Sequence, residues 1–167
     1  AVDGAHYAKI SENLVSLKMI DVTEINTLTN ALSLNSGSPH YIQFVNEINH
    51  FPVFAEGKKI RNSAAFMEEG INVNFVQQKE EDSIIVRTYE RGVENETFSC
   101  GTGVTAAVLA SVILKDNLEG IYIQEGNNEI KMSTKGGNLS ISFEKKEAGF
   151  DNIWLIGSVE HVYSGQW

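Results

Sequence analysis

The 167 residues carry 13 lysines and arginines against 22 aspartates and glutamates, a formal charge of -9, and 42% of the chain is hydrophobic, enough for one compact domain with its own core. No block of lysine or arginine offers a surface for nucleic acid or an anionic membrane, so the expected partner is a small molecule. A single cysteine excludes an internal disulfide framework and a multi-cysteine metal site, and no long apolar run reads as a signal peptide or membrane span, which makes a reducing cytoplasm the expected home.

In chain order, Leu14 to Met19 reads as a strand that runs out before the polar stretch Thr23 to Ser38. That stretch reads as a long connection closed by a Gly-Ser-Pro turn. Tyr41 to Val45 is the next strand, and Phe54 to Asn62 is a charged candidate for a short surface helix. Glu69-Gly70 stops structure before the strands Ile71 to Gln78 and Ser83 to Tyr89. From Gly101 to Leu114 the residues are small or aliphatic on nearly every face, the mark of a buried helix, with Lys115 in its last turn and Asp116-Asn117 as a stop. Ile121 to Gln124, Glu129 to Ser133, Leu139 to Phe143 and Ile153 to Val159 follow as hairpin strands, with turns at Gly126-Asn127-Asn128 and Gly136-Gly137-Asn138. The expected class is α+β: a mixed, mostly antiparallel, curved sheet wrapped around one buried central helix. No internal repeat, heptad or low-complexity tract interrupts it.

Chemistry concentrates at the entrance to that helix. The runs Tyr89-Glu90-Arg91-Gly92 and Glu96-Thr97-Phe98-Ser99-Cys100-Gly101-Thr102-Gly103 put the lone cysteine at a helix N-terminus behind charged residues. Unpaired N–H groups and the positive end of the macrodipole favour thiolate there, so Cys100 can move a proton or attack as a nucleophile. On residue type alone, a lone cysteine is as readily a small buried hydrophobe, and a Glu-Arg pair is more often a solvated surface feature than a site. His6, His50 and His161 have no metal-ligand spacing between them.

The segment Tyr89 to Ala107 resembles the second active-site motif of the diaminopimelate epimerase family. Gly37-Ser38-Pro39-His40 resembles that family's Gly-Asn-Pro-His turn, Ile71-Asn72-Val73-Asn74-Phe75 its Asn-Val-Asn-Phe strand, and Gly136-Gly137-Asn138-Leu139 its late hairpin. Ile156-Gly157-Ser158 with Val162-Tyr163-Ser164-Gly165 resembles its C-terminal end, and Asp3-Gly4-Ala5-His6 the start of its second domain. The resemblance implies that residues 1–167 are a single domain, the C-terminal half of a two-domain fold. The last strand, about 160–167, would then associate with the missing N-terminal domain.

The family's activity, as the resemblance implies it, is epimerisation of LL-diaminopimelate to meso-diaminopimelate for lysine and cell-wall synthesis, without a cofactor or metal. One cysteine from each domain serves as acid or base, and this chain supplies only one. Cys100 matches that catalytic cysteine, with His40 and Glu90 as further catalytic groups. Gly101 and Thr102 match N–H donors to the α-carboxylate, and Ser38, Asn72, Glu90 and Arg91 match substrate contacts. Ser38 stands where the family usually has asparagine, and the stretch Gly92-Val93-Glu94-Asn95 is one residue longer than the commonest form. The implied partners are diaminopimelate and the missing N-terminal domain, with a homodimer as a further expectation. A proline-racemase-like amino-acid racemase and a noncatalytic half-domain are the alternatives.

Overall fold

A computed structural model describes residues 5–80, 83–117 and 126–166. Along the chain these form β1 (Ala8–Ser11), β2 (Leu14–Lys18), β3 (Ile25–Leu28), β4 (Ala31–Asn35), β5 (Pro39–Phe44), α1 (Val53–Arg61), β6 (Asn72–Glu80), β7 (Ser83–Glu90), β8 (Asn95–Thr97), α2 (Gly101–Asn117), β9 (Gly126–Thr134), β10 (Gly137–Lys146) and β11 (Gly149–Ser158). The strands make one sheet in the order β1-β2-β11-β10-β9-β7-β6-β5-β4-β3, with β8 paired to β7. All pairings are antiparallel except β5 with β6 and β7 with β9. A parallel pair needs a crossover, and the two helices lie in those two connections. Among the described residues no helix is long and apolar enough to cross a membrane.

Strand β6 sits near the middle, buried on both faces, and its two-residue period divides two cores. Val76 joins the larger core around α2, while Val73 and Phe75 join a smaller one with Ile48, Val53 and Tyr89 under α1. A Cβ at Gly57 would run into Tyr89 Cβ, so only glycine lets α1 lie this close to β7.

Helix α2 is the larger core's centre. Val104, Ala106, Ala107, Val108, Leu109, Ala110 and Val112 are all inaccessible to solvent, and α2 packs against strands from β4 across to β11. A helix apolar all round needs an extended apolar surrounding, and α2 meets β4, β5, β6, β7 and β11 of an open, mostly antiparallel sheet. Each fully buried Val or Leu stabilises by about 1.5–3 kcal/mol. Thr105 and Ser111, its polar exceptions, return their hydroxyls to the helix's own carbonyls, at Gly101 and Val108.

Three stretches differ from expectation. Thr23 to Ser38 is not a single connection: it contains the hairpin β3–β4, because Ala31, Leu32 and Leu34 find apolar neighbours and β4 pairs with β5. Gly126-Asn127-Asn128 begins β9 instead of forming a turn, its backbone aligned with Phe143, Glu144 and Lys145 of β10. Strand β1 had no periodic signal; it forms by pairing with β2. The hairpin expected at Gly136-Gly137-Asn138 forms, but with its turn at Lys135-Gly136; Gly137 and Asn138 already pair with Thr134 and Ser133 of β9, Gly137 at φ 130°, where glycine is favoured. Ile121 to Gln124 lies outside the described residues. Residues 159–166 add no strand to this sheet; the Val159 N–H donates to the Asn13 carbonyl at 2.8 Å.

Candidate active site

Cys100 immediately precedes α2 and its carbonyl accepts the Val104 N–H at 2.9 Å, the position of an N-cap. Its sulfur lies 3.5 Å from Thr102 Oγ1, and the Thr102 hydroxyl and the Thr102 and Gly103 N–H groups act to lower its pKa. Glycine at 103 makes this possible: a Cβ there would stand 2.6 Å from Asn74 Oδ1 and 3.3 Å from the sulfur. These donors favour the thiolate, as the helix start predicts, yet the balance falls the other way. Burial pushes the thiol above its ordinary pKa, the Thr102 and Gly103 donors offset only part of that, and the Glu90 charge adds to the rise. In this chain the thiol form is favoured at neutral pH.

Behind Thr102 lies a buried polar layer. His40 Nε2 is 2.9 Å from Thr102 Oγ1 and 2.9 Å from Ser38 Oγ, and His40 Nδ1 is 3.0 Å from Asn74 Nδ2. Burial lowers the His40 pKa to about 3, with Arg91 adding to the effect, so the ring is neutral at physiological pH. Asn72 donates to Ser38 Oγ and the Pro39 carbonyl at 3.1 Å each, and accepts the Arg91 N–H at 2.9 Å. Ser36 ties the same turn to α2 by donating to the Thr102 carbonyl at 2.8 Å.

On its other side the thiol opens into a groove of about 730 Å³ that is also lined by His6, Leu17, Met19, Glu90, Gly101, Thr102 and Leu155. The structure thus brings Cys100, Glu90, Gly101 and Thr102 to one surface and stacks Ser38, His40 and Asn72 behind it. Arg91 is not among the groove residues; its guanidinium donates to the Glu69 carbonyl at 3.0 Å. The longer loop after it is tied down by Glu94, which accepts from the Gly92 N–H, the Tyr89 hydroxyl and Arg61.

The family model for diaminopimelate epimerase matches residues 32–162, which takes in Ser38, His40, Asn72, Glu90, Cys100 and Thr102 but not β2, whose Leu17 lines the groove. The chain belongs to the diaminopimelate epimerase family. A diaminopimelate epimerase from Flavobacterium psychrophilum is 42% identical over 98% of this chain and 61% of its own length. One from Aquifex aeolicus is 38% identical over 80% of this chain and 44% of its own length. The chain therefore spans less than two thirds of the length of these relatives. By structure it is similar to a probable proline racemase from Agrobacterium radiobacter with bound carbonate, at TM-score 0.62 and 15% identity over 90% of this chain and 53% of that one. It is also similar to a hydroxyproline epimerase from Agrobacterium vitis, at TM-score 0.60 and 14% identity over 92% and 52% of the two chains. Those two share the fold of this epimerase-family domain.

Several residues at the site escaped the sequence reading. His6 has no metal-ligand spacing, yet lines the groove, and its Nδ1 donates to the Lys18 carbonyl at 3.1 Å. Leu17, Met19 and Leu155 carried only strand signals. Asn74 and Thr88 extend the His40 network inward, with Thr88 Oγ1 donating to Asn74 Oδ1 at 2.9 Å. The Cys100 approach is braced by Glu96, held bidentately by Arg87 at 2.6 and 2.8 Å and by Lys135 at 2.9 Å. Among the described residues no group of three or more His, Cys, Asp or Glu side chains is placed to hold a metal ion.

Proposed function

We propose that this chain is one half of a cofactor-independent diaminopimelate epimerase and supplies one of its two acid/base cysteines. The observation that carries the reading is the thiol of Cys100 at the N-cap of α2, in a groove that it shares with Glu90 and the first residues of the helix. Inverting a stereocentre without a cofactor needs a base on one face of the α-carbon and an acid on the other. A single thiol serves one face, so the second cysteine comes from the N-terminal domain that the longer relatives leave room for.

Each side chain takes a role from its place. Cys100, protonated in this half, delivers or, after ionising, removes the α-proton. The N–H groups of Gly101 and Thr102 at the helix start stabilise charge developing beside the α-carboxylate. Glu90 faces the ammonium end, Arg91 turns its fork from the Glu69 carbonyl to the distal carboxylate, and Asn72 with Ser38 holds the distal end. His40, neutral and buried, acts on the thiol through Thr102. Free thiols suit a reducing cytoplasm, and lysine and cell-wall synthesis is where the product is used.

Two measurements test this. In the complete protein Cys100→Ala is expected to abolish exchange between LL- and meso-diaminopimelate; near-normal turnover refutes the assignment. The 167-residue chain alone is expected to put no deuterium from heavy water into the α-position of diaminopimelate, and incorporation would refute the need for a second thiol. Proline and hydroxyproline, offered in parallel, should not be turned over.

A further inference from the structure

Asn74 is 0% exposed at the centre of β6 and has no part in the reading above. Its amide orientation is dictated from outside. Nδ2 lies 3.2 Å from the Tyr41 carbonyl, which can only accept, and Oδ1 receives the Thr88 hydroxyl at 2.9 Å. The same Nδ2 donates to His40 Nδ1 at 3.0 Å. Nδ1 is therefore an acceptor, and the proton of the neutral ring sits on Nε2.

Asn72 is oriented by the same logic. Its Oδ1 accepts the Arg91 N–H, and its Nδ2 donates to the Pro39 carbonyl and to Ser38 Oγ. Ser38 Oγ thus accepts a hydrogen bond from behind and has its own hydrogen to donate. The single Nε2–H is shared between Thr102 Oγ1 and Ser38 Oγ, each 2.9 Å away, and Ser38 Oγ, 3.0 Å from Thr102 Oγ1, donates its own hydrogen there, so two donors converge on Thr102. With both lone pairs engaged, the Thr102 hydroxyl directs its own hydrogen to Cys100 Sγ at 3.5 Å.

We propose that Asn74, oriented by Thr88 and Tyr41, is a positioning residue that locks His40 in the Nε2–H tautomer and thereby turns the Thr102 hydroxyl proton towards the Cys100 sulfur. Every hydrogen bond from Thr88 to Cys100 then runs in one direction and ends on the thiol, which stabilises its deprotonated form. The missing Cβ of Gly103 leaves the room that the Asn74 amide occupies. The consequence for proton transfer rests on the epimerase reading; the tautomer does not.

A long-range proton–nitrogen correlation spectrum of the His40 ring in the 167-residue chain at neutral pH reads the tautomer directly, without a variant. The expected spectrum has the proton on Nε2 alone; a proton on Nδ1, an even mixture or a doubly protonated ring overturns the proposal. Asn74→Asp keeps the side-chain shape and presents an acceptor to Nδ1, so the proton is expected to move there, and an unmoved proton in the folded variant shows that Asn74 does not set it. The Thr102 step is read by Cys100 alkylation. Thr102→Ala is expected to slow it about fivefold at neutral pH, the worth of one ordinary hydrogen bond, with Thr102→Ser close to the parent; equal rates in all three overturn that step. In the complete protein Asn74→Asp is expected to lower kcat at least tenfold with little change in KM, and an unchanged kcat overturns the catalytic consequence. If the parent protein itself fails to turn over diaminopimelate, the epimerase reading falls and the tautomer result stands.

Discussion

Along α2 the same layer of the sheet presents two environments. Beside Val104 to Val112 it offers Ile42, Val76, Ile84 and Val86, and beside Cys100 to Gly103 it offers His40, Asn72, Asn74 and Thr88. Both regions are buried, so solvent exposure is not what separates them. The apolar region is held by close packing, which tolerates any side chain of the right size and shape. The polar region is held by hydrogen bonds that each need a particular partner, since an unpaired polar group there costs its full desolvation. The buried side-chain atoms without a hydrogen-bond partner among the described residues are Thr97 Oγ1 and Asp151 Oδ1, neither in the His40 layer. The low dielectric that makes those hydrogen bonds strong also holds His40 neutral and keeps the Cys100 thiol protonated.

If that contrast is right, Leu109→Ala in the apolar region should give the largest loss of stability, about 3 kcal/mol by urea denaturation, while the alkylation rate of Cys100 in the folded protein stays the same. A changed rate would mean that the two regions are mechanically coupled. Gly103→Ala attacks the junction between them, where a new Cβ meets the Asn74 amide oxygen. It should cost about 2 kcal/mol and, unlike Leu109→Ala, alter the alkylation rate.

The ionic brace outside both regions should respond to acid alone. Burial by itself would raise the Glu96 pKa, but Arg87 and Lys135 together hold it below the usual glutamate value. A depressed carboxyl contributes stability that is complete above its unfolded pKa and lost as pH falls through the folded one. The stability gap between the parent and Glu96→Gln should therefore be constant near neutrality and close below the glutamate range. A gap that persists there would assign the effect to packing. The smallest effect expected is in Cys100 itself: the pH midpoint of its alkylation should lie above that of free cysteine, and a midpoint below it would show that the helix start outweighs burial.

Local signals carried much of the fold. The apolar run from Gly101 to Leu114 marked α2, and the Gly136-Gly137-Asn138 stretch marked the β9–β10 hairpin, because both are written within a few residues. The β3–β4 hairpin and β1 were illegible for the opposite reason. Their residues are mostly polar or exposed, and only pairing with the neighbouring strands β2 and β5 and with one another makes them strands. Among site residues Cys100 stood out by position, whereas Ser38, His40, Asn72, Glu90, Arg91, Gly101 and Thr102 were reached through family resemblance. Asn74 and Thr88 had no signal as functional groups, since what joins them to Cys100 is an alternation shared by three strands and the start of a helix.

By itself the sequence determined that one buried helix would begin at the only cysteine, and that the residues around it match an epimerase motif. Periodicity and helix-start chemistry are properties of neighbouring residues and need no tertiary contact. The tertiary structure decided which way the cysteine ionises, because desolvation depends on what the rest of the chain packs against the sulfur. It also decided that His40 turns Nε2 towards Thr102 and Nδ1 towards an amide 34 residues along the chain, on the neighbouring strand.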